Sequence, residues 1–192
     1  MKPKILYIVI PCYNEQEVLS ETAKRIRNKM TALIDARQIS MNSKVMFVND
    51  GSRDSTWEII TKLHNEDKLF YGINLSRNRG HQNALLAGLM VAKEYADMIV
   101  SMDADLQDDI NAIDEMVEKY YAGNDIVYGV RNKRETDTFF KRTTAEMFYK
   151  FMKLLGVETV YNHADYRLMS KRALMDLAQF KEVNLFLRGM VC

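Results

Sequence analysis

The stretch Met98-Ile-Val-Ser-Met-Asp-Ala-Asp-Leu-Gln-Asp108 begins apolar and turns abruptly acidic, with Asp103, Asp105, Gln107 and Asp108 in close succession. An apolar, β-branched run that stops at polar residues reads as a buried strand, here one that delivers carboxylates to a sheet edge. In open α/β sheets the crevice outside the carboxyl ends of the strands is where ligands bind. Closely spaced oxygen donors suit Mg²⁺ or Mn²⁺, and an ion held there would most naturally carry a diphosphate. The competing reading is local: Asp is favoured at helix starts, and the same acids would cap a helix beginning near Asp109.

Outward from this stretch, apolar runs alternate with helical patterns. Strands are expected near 5–10, 44–49, 69–75, 97–102 and 125–130, and helices near 15–36, 55–66, 81–95 and 109–122. That alternation implies βαβ units and an α/β fold with a mainly parallel sheet flanked by helices. The first helix carries Val18, Thr22, Ile26, Met30 and Leu33 or Ile34 at steps of three and four, a single face for the core. The second opens with Ser55-Thr-Trp-Glu58, an S-x-x-E capping box that makes Asp54 and Ser55 structural rather than catalytic. After Val130 comes a basic segment from Arg131 to Asp137. A helix with an aromatic-rich side is expected from Phe139 to Leu155, flanked by Lys141, Arg142, Lys150 and Lys153 and suited to a membrane surface or a neighbouring helix.

The 192 residues, 47% of them hydrophobic, suffice for one well-buried core, so a single domain over 1–192 is expected. Lys plus Arg (27) balance Asp plus Glu (26), which gives no whole-surface attraction to nucleic acid. Cys12 and Cys192 stand at opposite ends with no metal-type spacing, against a disulfide framework or a zinc site. The apolar run at the N-terminus leads straight into Cys12-Tyr-Asn-Glu15, unlike a signal-peptide cleavage region, and no window reaches the ~18–20 apolar residues of a membrane span. The expectation is a chain that is soluble by itself.

The familiar phosphate loops are missing: there is no G-x-x-x-x-G-K-[ST] and no G-x-G-x-x-G after the first strand, which disfavours P-loop hydrolysis and dinucleotide redox chemistry. Instead strand one ends in Pro11-Cys-Tyr-Asn-Glu15 and strand two in Val48-Asn-Asp-Gly-Ser-Arg-Asp54. Both ends belong to the sheet edge that carries Asp103 and Asp105. Three acid-bearing strand ends in one crevice are poorly explained as helix caps and favour a nucleoside diphosphate site.

With Leu75-Ser-Arg-Asn-Arg-Gly-His-Gln-Asn-Ala-Leu-Leu-Ala-Gly88 and Ala164-Asp-Tyr-Arg-Leu-Met-Ser170 added to these pieces, the sequence resembles the family 2 glycosyltransferases of GT-A (Rossmann-like) fold. The resemblance is strongest to the polyprenyl-phosphate (dolichol-phosphate-type) hexosyltransferases. The five motifs stand in the family's order along nearly the whole chain. The resemblance implies that Pro11, Tyr13, Glu15, Asp50 and Asp103 surround the nucleotide and that Asp103, Asp105 and Gln107 hold Mg²⁺ or Mn²⁺. It implies Asp105 and Asp165 as catalytic carboxylates, and Arg131 and Arg134 as the residues that meet the acceptor phosphate. The partners it implies are a nucleotide-sugar donor, a polyprenyl phosphate acceptor and a membrane surface, with no nucleic acid; a homo-oligomer is compatible with it. The implied reaction inverts configuration, because the acceptor attacks directly with no covalent intermediate.

Asp165 has two readings. For a phosphate acceptor, whose second pKa is about 6, the attacking oxygen is already ionised at neutral pH and Asp165 orients the acceptor or Arg167. For a saccharide hydroxyl it must act as base. A third possibility is a non-catalytic nucleotide-sugar-binding module. His81 would approach a phosphate at the start of helix three or simply cap it. Two departures from the family stand out: the chain reads Asp108-Asp-Ile-Asn111 where prolines are usual, and it stops at Cys192 where relatives continue into membrane helices. The expectation is therefore a soluble portion of a longer protein working at the cytoplasmic face of the plasma membrane.

Overall fold

A computed structural model describes residues 2–130 and 163–180. Among them the chain runs β1 (Leu6–Cys12), α1 (Leu19–Asp35), β2 (Lys44–Asn49), α2 (Thr56–Glu66), β3 (Phe70–Asn74), α3 (His81–Ala92), β4 (Met98–Ser101), α4 (Ala112–Tyr121), β5 (Ile126–Val130), β6 (His163–Ser170) and α5 (Lys171–Leu177). The strands form one sheet in the order β3-β2-β1-β4-β6-β5. β1 pairs in parallel with both β2 and β4, and β2 with β3. β6 runs antiparallel between β4 and β5.

Two apolar layers cover the sheet. Leu6, Ile8, Ile10, Phe47 and Val100 pack on one face against α1, α2 and α4. Val9, Met46, Val48 and Ile99 pack on the other against α3 and α5. Alternate residues of β1 therefore serve different layers, and a one-residue slip would exchange the two sets. The α1 face follows its expected period, with Thr22, Ile26, Met30 and Leu33 buried, whereas Ile34 is only half-buried.

Chain order reverses at β1: the chain builds outward through β2 and β3, then returns to place β4 on the other side. The crevice between β1 and β4 is thus the switch point at which such sheets open. Pro11 lies in β1 at this point without disturbing the ladder. Val9 accepts from Met102 on the β4 side and Cys12 accepts from Asp50 on the β2 side. Alternation therefore turns Pro11 toward β4, whose pairing has ended at Ser101, so no N–H is needed there.

Several boundaries differ from the sequence reading. β1 runs on through Pro11 and Cys12, Asn14 turns the chain with a left-handed backbone (φ 57°), and a first turn closed by Leu19 N donating to Glu15 O at 3.0 Å leads into α1 at Leu19. β6 is a strand the periodicity did not reveal, since Asp165 and Arg167 look like surface charges yet both are buried. The expected capping box of α2 is absent: Ser55 makes no side-chain cap, and the Asp54 Oδ1 atom accepts from the Thr56 backbone at 3.0 Å and its hydroxyl at 2.6 Å instead. Asp54 is structural, as expected, by a different bond. The Arg131–Asp137 segment and the Phe139–Leu155 helix lie outside the described residues. No helix among the described residues is long and apolar enough to cross a membrane.

Candidate active site

The ends of β1, β2 and β4 and the beginning of β6 meet the N-terminus of α3 at the switch-point crevice. The loops after β1 and β2 are tied to one another by side-chain bonds to backbone. Ser52 Oγ accepts from Asn14 N at 3.0 Å, Asn14 Oδ1 accepts from Arg53 N at 2.9 Å, and Thr56 Oγ1 accepts from Glu15 N at 2.8 Å. Asp54 Oδ2 adds a bond from Gln16 N at 3.2 Å. Between these loops opens a cleft of ≈ 430 Å³ lined by Asn14, Glu15, Gln16, Arg53 and Asp54. Tyr13 stands exposed at its start, while Pro11 is buried in the sheet beneath.

Asp50 is buried at the end of β2, and both its oxygens accept backbone hydrogen bonds, Oδ1 from Arg79 at 2.6 Å and Oδ2 from Gly80 at 2.9 Å. It thereby organises the loop before α3, where Arg77 and Arg79 are exposed. Gly51 (φ 64°) lets that loop approach: a Cβ there would lie 2.6 Å from the Arg77 carbonyl carbon and the Asn78 nitrogen.

The acids after β4 occupy a turn, not a helix cap. Asp105 Oδ1 accepts from Gln107 N at 3.0 Å around Leu106, whose φ is 60°, and α4 starts at Ala112 with no side-chain cap. The competing cap reading of Asp103 and Asp105 does not apply to α4. The turn is anchored from below by Thr22, whose buried hydroxyl donates to the Ala104 carbonyl at 2.7 Å. A hydroxyl in the middle of an apolar helix face was the signal for this anchor.

Charge accumulates here. Burial pushes the Glu15 carboxyl above its ordinary value, and the negative charges of Asp105, Asp54 and Asp103 push it further. Cys12, beside Glu15 in sequence, is buried with its thiol pushed far up by desolvation, so it is no thiolate nucleophile. Among the described residues no three His, Cys, Asp or Glu side chains form a metal cage by themselves. Mg²⁺ characteristically uses one or two carboxylates and completes its shell with water and substrate phosphate, so the Asp103 and Asp105 oxygens amid a surplus of negative charge fit such an ion.

Across the crevice, Asp165 is buried on β6. Its Oδ1 lies 3.3 Å from Arg167 Nη2 two residues along the same face, and its backbone carbonyl accepts from Ser101 Oγ at 2.5 Å. His81 lies between the two acidic groups, with Nε2 3.0 Å from Asp103 Oδ1 and Nδ1 3.9 Å from Asp165 Oδ2. α3 has no side-chain cap, so the capping role expected for His81 gives way to contact with Asp103. A second cleft, ≈ 410 Å³, lies between Gln107, Met116, Tyr128, Gly129 and Tyr166. The Tyr166 hydroxyl fixes its floor by donating to the Asp109 carbonyl at 2.8 Å. Thus Glu15, Asp50, Asp103, Asp105 and Asp165 meet at one crevice, Tyr13 is exposed beside the first cleft, Gln107 lines the second, Pro11 lies in the sheet beneath, and Arg131 and Arg134 lie outside the described residues.

Residues 7–178 match the family model described as glycosyl transferase family 2. An uncharacterized glycosyltransferase of Bacillus subtilis, YkoT, is 51% identical over 97% of this chain and 56% of its own length. The prophage bactoprenol glucosyl transferase homolog of Escherichia coli is 37% identical over 96% of this chain and 58% of its own. The chain therefore spans a little over half the length of these relatives. Among solved structures, glucosyl-3-phosphoglycerate synthase from Mycobacterium tuberculosis, in complex with Mn²⁺, UDP and phosphoglyceric acid, superposes with a TM-score of 0.59. That match is at 15% identity over 88% of this chain and 57% of the synthase chain. Staphylococcus aureus TarS residues 1–349 give a TM-score of 0.55 at 16% identity over 91% of this chain and 49% of that one. These two likenesses concern the fold, which is GT-A.

Proposed function

The chain belongs to glycosyl transferase family 2, and from that footing we propose that it is the donor-binding and transferring part of an inverting, metal-dependent hexosyltransferase. In this reading a hexose moves from a nucleoside diphosphate sugar, a UDP-sugar, to a polyprenyl phosphate at the cytoplasmic face of a membrane. The observation that carries the reading is the convergence of Glu15, Asp50, Asp103, Asp105 and Asp165 from four separate strand ends on one crevice at the switch point. Relatives named as bactoprenol glucosyl transferases support the acceptor class, and the Mn²⁺ and UDP of the mycobacterial synthase support the donor and ion.

Exposed Tyr13 offers a ring face to the base, and the loop that Asp50 organises carries exposed Arg77 and Arg79, suited to the diphosphate. Asp103, Asp105 and Gln107 supply oxygens for the ion. A divalent ion there would balance the charge that grows on the departing diphosphate. The acceptor oxygen attacks the anomeric carbon from the face opposite the diphosphate; its new C–O bond forms as the bond to the diphosphate oxygen breaks, and configuration inverts. Since a phosphate oxygen is already ionised, Asp165 serves to orient the acceptor side rather than to take a proton. Arg131 and Arg134 are assigned to the acceptor phosphate, for which forked guanidinium donors are suited.

Calorimetry with UDP and GDP, each with Mn²⁺, Mg²⁺ or chelator, tests the donor half, with metal-dependent UDP binding expected. Equal affinity in chelator removes the metal from the reading. Transfer of labelled hexose to polyprenyl phosphate by the full-length protein tests the acceptor half, with Arg131→Ala and Arg134→Ala lowering transfer more than donor affinity. Transfer to a saccharide hydroxyl that Asp165→Asn abolishes would reassign Asp165 as the base.

A further inference from the structure

In the crevice described above, His81 lies between acids from both sides. Its Nε2 is within hydrogen-bond distance of Asp103, at 3.0 Å, while Nδ1 faces Asp165 at 3.9 Å, beyond hydrogen-bond distance. A carboxylate only accepts, so the contact with Asp103 requires Nε2 to carry the proton. What lies on either side of the ring is held in place. On one side Asp165 is buried and fixed by Arg167 and by Ser101. On the other, His81 opens α3, which lies so close to the sheet that a Cβ on Gly88 would meet Val9 Cγ1 at 2.5 Å and Val48 Cγ2 at 2.7 Å. Asp103, by contrast, is half-exposed on a loop, with its backbone nitrogen 3.5 Å from Asp108 Oδ2. A carboxylate on such a loop has rotamers to lose, and a donor fixed by a packed helix selects one of them.

We propose that His81 is a positioning residue: by donating to one oxygen of Asp103 it leaves the carboxylate's remaining lone pairs aimed at the divalent ion that would carry the diphosphate, and holds the carboxylate at a set distance from Asp165. This rests on the transferase reading above. Outer partners that orient a ligating carboxylate typically contribute ~10- to 100-fold in metal affinity. A glutamine amide nitrogen reaches about where Nε2 lies, whereas an asparagine amide nitrogen reaches only the Nδ1 position. The two amides therefore separate the bond to Asp103 from bulk and polarity at the helix start.

The test measures binding of UDP with Mn²⁺, or of GDP if the wild type prefers it, to His81→Ala, His81→Gln and His81→Asn, with melting temperatures recorded alongside. His81→Ala should weaken binding ~10- to 100-fold, His81→Gln should recover most of the loss, and His81→Asn should not. In a cycle with Asp103→Asn, the double variant His81→Ala/Asp103→Asn should bind no worse than Asp103→Asn alone, because His81 acts through that carboxylate. Additive losses would mean that His81 meets the nucleotide directly, and equal binding by all three His81 variants would mean that its nitrogen placement is irrelevant; either result overturns the proposal. A wild type with no metal-dependent nucleotide binding would instead remove the metal-dependent donor site on which it rests, leaving the family assignment in place.

Discussion

The Asp50 carboxylate lies 2.6 Å from the backbone nitrogen of Arg79, with its second oxygen 2.9 Å from that of Gly80, so a buried side chain at the end of β2 sets the loop that leads into α3. The family resemblance implies that Asp50 lies beside the nucleotide. Its two bonds from backbone amides give it a structural task as well. Asp50→Ala should cost about 2 kcal/mol, in the range for hydrogen bonds to a charged group, and weaken nucleotide binding as Arg77 and Arg79 lose their placement. Asp50→Asn keeps one acceptor and should fall between. Chemical denaturation beside calorimetry checks this; unchanged stability with weakened binding would restore a purely ligand-facing Asp50.

Thr22 links the core of α1 to the acidic turn, since its hydroxyl donates to the carbonyl of Ala104, the residue between Asp103 and Asp105. Thr22→Val preserves shape and leaves that carbonyl without its donor. The expected cost is about 1 kcal/mol of stability, with a drop in metal–nucleotide affinity although Thr22 touches no ligand. If denaturation shows the loss and calorimetry shows none, the turn does not depend on this anchor.

The layers were legible because α1 repeats its apolar residues at helical spacing and β1, β2 and β4 are too apolar to be anything but buried strands. The site was legible at the level of strand ends: Glu15, Asp50, Asp103 and Asp105 follow apolar runs, and parallel order alone brings those ends together. β6 was hidden because its Asp165 and Arg167 neutralise each other inside the sheet, a pairing that no periodicity reports. The capping box misled for a related reason, as Ser55 and Glu58 have the right spacing but Asp54 reaches the α2 amide first. Contacts between residues distant in sequence, such as His81 with Asp103, depend on where α3 is seated and have no local signature.

Glu15 makes stability depend on pH. Burial first, then Asp105, Asp54 and Asp103, raise its folded-state pKa above the unfolded value, so the folded protein binds the proton more tightly. A raised carboxyl contributes stability that is present below the unfolded pKa and lost as pH rises through the folded one. At neutral pH, where Glu15 is charged, Glu15→Gln should therefore melt higher than the wild type. The difference should close as pH falls below the ordinary glutamate range, where both side chains are neutral. Melting curves from pH 3 to 8 in chelator, about the span that brackets a carboxyl titration, read the effect; a Gln variant that melts lower at neutral pH would contradict the sign.

Asp105 and Asp54 both border the crevice after β1, yet their surroundings assign them different work. Asp54 is occupied in structure, accepting from Thr56 twice and from Gln16 once, so it ties the loop after β1 to α2. Asp105 is exposed, and its Oδ1 accepts a backbone bond from Gln107 that fixes the side chain on the acidic turn. Asp105→Asn keeps that bond and the shape of the turn but removes a unit of ligand charge. It should weaken metal-dependent nucleotide binding by more than the ~10- to 100-fold typical of an outer partner, with little change in melting temperature. Asp54→Asn should do the reverse, lowering the melting temperature through a weakened loop tie while binding stays metal-dependent. Titrating Mn²⁺ at fixed nucleotide concentration separates the two: a charge loss at the ion shifts the Mn²⁺ midpoint, and a loosened loop lowers nucleotide affinity at every Mn²⁺ concentration. A shifted midpoint in Asp54→Asn together with an unshifted one in Asp105→Asn would exchange these roles and place the ion at the loop after β2.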